Sequence, residues 1–79
     1  MLSPDALVDL LVTMLAGATP KPESHWRERI QIKWTSLAFS PHSNWKIEAS
    51  GTLNDKDAIA RAVEIVKEPH PYVRWPKEL

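Results

Sequence analysis

Seventy-nine residues without cysteine, ten basic and ten acidic side chains in balance, and 43% hydrophobic residues set the outer limits. A chain of this length makes one small domain and leaves no room for a second. Composition excludes disulfides and thiolate chemistry, and neutrality argues against a dedicated polyanion binder, whose affinity comes mainly from neutralising phosphates. The core is small, because such a chain hides roughly 60% of the surface its unfolded form exposes.

The charge is not spread evenly. Asp5 and Asp9 make residues 1–16 acidic, whereas residues 17–46 carry Lys21, Arg27, Arg29, Lys33 and Lys46 against Glu23 and Glu28. The middle is therefore mildly basic. The first residues lack the basic start of a signal peptide, and the apolar run after them is too short to cross a bilayer. The expected setting is soluble and cytoplasmic, away from membranes.

Prolines mark the boundaries, being excluded from helix interiors and central strands. Pro4, Pro20, Pro22, Pro41, Pro69, Pro71 and Pro76 leave two proline-free windows, 23–40 and 42–68. Residues 3–16 read as a helix: Ser3 caps it, Pro4 takes the first helical position, and Gly17 stops it. Asp5, Asp9 and Thr13 form one narrow polar stripe, and Leu, Val, Ala and Met fill the rest. Such a helix asks for burial on more than one side, either within the core or partly against a second subunit. Residues 17–27 form a connector, with Trp26 as the anchor that pins it.

Two strands follow, 28–39 and 44–52. Ile30, Ile32 and Trp34 alternate with Arg29, Gln31 and Lys33, and Trp45, Ile47 and Ala49 alternate with Lys46 and Glu48, as a period of two requires. The phase slips after Trp34, since Leu37 and Phe39 fall at odd positions. That slip predicts a β-bulge near Thr35-Ser36, with a turn at 40–43 around Pro41. Residues 54–68 read as an amphipathic helix capped by Asn54 and halted before Pro69. The tail, 69–79, is too apolar to be free. It either adds Tyr72-Val73-Arg74-Trp75 as a third, edge strand or lies extended with Trp75 in a pocket.

The expected architecture is α+β: a two-layer α-β-β-α domain, with an antiparallel hairpin against two helices and a possible third strand from the tail. Catalytic chemistry is thinly supplied. Ser24-His25 and His42-Ser43 are adjacent only in sequence, the two glycines make no phosphate loop, and His25, His42 and His70 are scattered singly, without zinc-ligand spacing. No catalytic, cofactor or metal site is predicted, and the chain is read as no enzyme. Four tryptophans and a helix with more apolar surface than its neighbours cover point instead to a non-catalytic protein-interaction module, a subunit, adaptor or inhibitor of a larger assembly. Its partner is a protein or a second copy, a homodimer forming through helix 3–16 or the sheet edge. The predicted contact surface is Trp26, Arg29, Gln31, Lys33, Lys46, Tyr72, Arg74 and Trp75, while Trp34 and Trp45 are assigned to the core. The alternative is a nucleic-acid-binding domain that uses the basic outer row of the hairpin, Arg29, Gln31, Lys33 and Thr35 with Lys46, beside stacking aromatics.

Overall fold

A computed structural model describes residues 1–38 and 41–76. The elements run α1 (Pro4–Ala18), α2 (Glu23–Arg27), β1 (Ile30–Trp34), β2 (Trp45–Ala49) and α3 (Leu53–Lys67). The fold is α+β, with three helices rather than two and a two-stranded antiparallel sheet among the described residues.

In α1, Ser3 caps through a 3.1 Å bond from Ala6 N–H to its Oγ, and Pro4 occupies the first turn. Gly17 does not stop the helix. It lies inside, and α1 ends at extended Thr19, whose hydroxyl donates back to the Leu15 carbonyl at 2.7 Å. A glycine stop works through left-handed backbone, and Gly51 is the glycine with positive φ here. Leu7, Leu11, Val12 and Leu15 lie at helical spacing and are buried.

Within the connector, Pro22 precedes a single helical turn, α2, which the sequence pattern does not announce. One turn is too short for a periodicity to develop. Its product is the burial of Trp26, 1% exposed, whose indole N–H donates to Thr19 Oγ1 at 3.2 Å.

Both strands are shorter than the sequence reading. Glu28 and Arg29 belong to the turn that leaves α2, so β1 starts at Ile30, and it ends at Trp34 without a bulge. The phase slip marks the exit from the strand: Ser36 Oγ accepts from Ala38 N–H, and Leu37 is exposed. Phe39 and Ser40 lie outside the described residues. The pairing is in register along Ile30/Ala49, Gln31/Glu48, Ile32/Ile47, Lys33/Lys46 and Trp34/Trp45.

Trp34 corrects a second expectation. It shares a face with buried Ile30 and Trp45 but is 59% exposed. On that rung Lys67 of α3 and His70 after it make their contacts with Trp45. Trp45 takes the interior place, bonded through its indole to the His70 carbonyl at 3.0 Å, with Lys67 Nζ 4.7 Å above its ring.

α3 begins one residue earlier than predicted, and its cap is Thr52, not Asn54. Thr52 Oγ1 accepts from Asp55 N–H while Asp55 Oδ2 accepts from Thr52 N–H, a reciprocal capping box. Gly51 makes the turn before it at φ 107°. A Cβ there would come within 2.8 Å of Asp55 Oδ2, so no other residue fits without moving the box.

The tail forms no third strand among the described residues. It runs extended, tied by the side chain of Asn44, which donates to the Val73 carbonyl and accepts from Val73 N–H at 2.9 and 2.8 Å. Trp75 Nε1 donates to the Asn44 carbonyl at 3.0 Å, and Arg74 N–H reaches the Leu2 carbonyl at 2.8 Å. Val73 completes a core that includes Leu7, Leu11, Trp26, Trp45, Ile59 and Val66.

Candidate functional site

Three polar centres are built by this fold, and two of them serve the fold itself. The first surrounds Asp55, whose side chain is 3% exposed. Lys21 Nζ lies 2.8 Å from Oδ1, His25 Nε2 3.2 Å from the same oxygen, and Arg29 Nε 3.4 Å from Oδ2. The Arg29 contact is an ion pair without the alignment of a hydrogen bond, and its Nη1 donates to the His25 carbonyl at 2.8 Å. The Lys21 hydrogen bond, followed by those from His25 and the Thr52 backbone, outweighs burial and holds the Asp55 carboxyl below the usual carboxylate range.

The second centre is Ser43 with Lys67. Lys67 Nζ donates to Ser43 Oγ and to the Trp45 carbonyl, each at 2.9 Å, and burial pushes its ammonium down from the ordinary lysine value. A serine this close to a lysine amine has the spacing of a nucleophile and its base. Ser43 is 5% exposed, however, and its hydroxyl leans on the Trp45 carbonyl. The pair therefore ties the end of α3 to the start of β2.

The third centre is the hairpin surface. Ser50 N–H donates to the Arg29 carbonyl and Thr35 N–H to the Asn44 carbonyl, which makes these two rungs hydrogen-bonded pairs. Because such rungs alternate in an antiparallel ladder, Gln31 and Lys33 bond inward to β2, and the backbone groups of Ile30, Ile32 and Trp34 point away from it. Among the described residues nothing pairs with that outer edge of β1. At its end stands exposed Trp34, with Leu37 and Tyr72 also exposed. Tyr72 is held at the hairpin turn by its hydroxyl, which donates to the Pro41 carbonyl at 2.7 Å.

The predicted contact residues separate accordingly. Gln31, Lys33 and Lys46 do share the outer face, with Lys33 directly opposite Lys46 and Gln31 opposite Glu48. Arg29 leaves that row to serve Asp55, and Trp26 is a core anchor whose ring offers a partner almost no surface. Tyr72, Arg74 and Trp75 follow the tail, where Tyr72 and Arg74 are exposed and Trp75 is half-buried. Trp34 is the contact candidate that periodicity hides, because alternation assigns it to the core face. The signal for it was the phase slip that follows it, which marks where the sheet outruns its cover.

Open hollows flank these centres among the described residues. One, about 370 Å³, lies at the Ile30/Ala49 end of the sheet and includes Glu28, Gln31 and Glu48; another, about 410 Å³, runs between α1 and α3 beside Met14, Ala58 and Ile65. No group of three or more potential metal ligands occurs among the described residues, nor any helix long and apolar enough to cross a membrane. No protein-family model, curated protein or solved structure matches the chain.

Proposed function

We propose that this chain is a small non-catalytic protein-interaction module, a subunit, adaptor or inhibitor of a larger assembly, and that it docks through the outer edge of β1 and the Trp34 end of the hairpin. The observation that carries this reading is Trp34, 59% exposed beside a strand edge that nothing among the described residues pairs with. An isolated edge offers main-chain hydrogen bonds to an added strand, and a tryptophan next to it supplies the kind of side chain in which binding energy concentrates. Leu37 and Tyr72 extend the apolar surface at the same end.

The test is affinity capture from the native host with wild-type and Trp34→Ala baits in parallel. A partner retained by the wild type and lost by a variant of unchanged circular dichroism supports the reading. Identical capture by the two baits refutes it.

A second reading rests on the rung Lys33/Lys46, two like charges in direct opposition with no ion-pair partner among the described residues. Phosphates would relieve that repulsion, as nucleic-acid binding requires. Glu48 on the neighbouring rung works against it. Binding of a labelled single-stranded oligonucleotide that falls steeply with salt would favour this reading, and no binding at low salt would remove it.

A further inference from the structure

We infer that the outer edge of β1 is completed by the β1 strand of a second copy of this chain, in an antiparallel register centred on Ile32; the inference rests on the docking edge proposed above and names its occupant. The backbone groups that face outward belong to Ile30, Ile32 and Trp34. A twofold axis at Ile32 sets Ile32 opposite Ile32 and Ile30 opposite Trp34 of the second copy, and each opposed pair exchanges two hydrogen bonds. All three outward residues on each strand are then paired. Exposed Trp34 gains Ile30 as its cross-strand neighbour, on the face where Ile30 already joins the core.

Neighbouring registers do worse. Centred on Lys33, the pairing brings Lys33 against Lys33, a like-charge opposition that disfavours it. Centred on Gln31, it leaves Trp34 beyond the end of the opposing strand.

The outer face supplies charge complementarity. In the Ile32 register one row across four strands reads Lys46, Lys33, then Gln31 and Glu48 of the second copy, and the adjacent row is its symmetry mate. The lysine pair, which forms no ion pair among the described residues of one chain, thus shares its row with Gln31 and, one strand further, Glu48 of the second copy, at the end of the sheet that borders an open hollow. A surface that presents its basic end to its own acidic end through a twofold is self-complementary in the isologous sense. Pairing also closes an edge that would otherwise template unspecific association.

Sedimentation over a concentration series tests this. The wild type, 9.0 kDa as a single chain, should convert to twice that mass. Gln31 is exposed and directly opposes Lys33 of the second copy twice per dimer. Gln31→Glu is therefore expected to tighten dimerisation by about tenfold, and Gln31→Lys to weaken it by about tenfold. Ile32→Pro removes an N–H that serves only the outer edge, a place where strands tolerate proline, and should abolish the dimer. Circular dichroism checks that each variant is folded. A wild type that stays at the single-chain mass overturns self-pairing while leaving Trp34-dependent capture of another protein intact. A dimer indifferent to both charges at position 31 also overturns it, since the contact must then lie on another face.

Discussion

Four segments meet at Asp55: the connector through Lys21, α2 through His25, the turn before β1 through Arg29, and the start of α3 through Thr52. The carboxylate is useful only while charged. Because its pKa is held below the ordinary value of 3.8, its contribution to stability is present in full above the titration range of the unfolded carboxylate and is lost as pH falls through that range toward the folded value. Thermal melts of wild type and Asp55→Asn down an acid series should show this. The wild type has the higher Tm near neutrality, and the gap between the two narrows below the ordinary carboxylate range. Parallel curves at all pH values would mean that the charge of Asp55 does no work. Little of this was legible in the sequence. Thr52 and Asp55 have capping-box spacing, but Asn54 is as good a cap by type, and the side chains that decide the matter lie 30 and 34 residues away.

At the scale of elements, the tail is held by separate hydrogen bonds rather than by a strand ladder, and the Asn44 side chain makes two of them. Asn44 offers Val73 a donor and an acceptor at once, and so imitates a backbone rung where none exists. Asn44→Ala strands both backbone groups of Val73 and is expected to cost about 2 kcal/mol, read as a denaturant midpoint that shifts with little change in slope. A loss confined to a few tenths would show that Val73 and Trp75 hold the tail by packing alone. The elements themselves were largely legible: α1 from its Ser3 cap and apolar spacing, α3 from its apolar spacing, the hairpin from alternation across Ile30–Trp34 and Trp45–Ala49. What failed was local. Gly17 carries the type of a helix stop without the backbone of one, and α2 is too short to leave a pattern. Alternation tells which face Trp34 occupies but not whether a helix lies over it, since cover is a property of the whole packing.

Seen as a molecule, the chain is 37 Å long and about 20 Å across, and its interior is closed from both directions of the sequence. α1 brings Leu7, Leu11, Val12 and Leu15, and the far end brings Val66 and Val73 to the same cluster. Core membership was legible at Leu7, Leu11, Val12, Leu15 and Val66 because each sits on a helical face. Trp26 and Val73 also read as apolar, but their places depend on where a connector and a tail come to rest.

The hydrogen bond between Arg74 and Leu2 has a consequence for how this fold can be handled. Leu2 and Arg74 lie side by side, so a chain that enters near one leaves near the other. A short glycine-serine bridge can join them, with new ends opened at the exposed Pro41-His42 turn. Such a circular permutant is expected to keep the tryptophan near-ultraviolet spectrum of the parent. By the same geometry the whole fold can sit in a surface loop of a host protein without prising that loop apart.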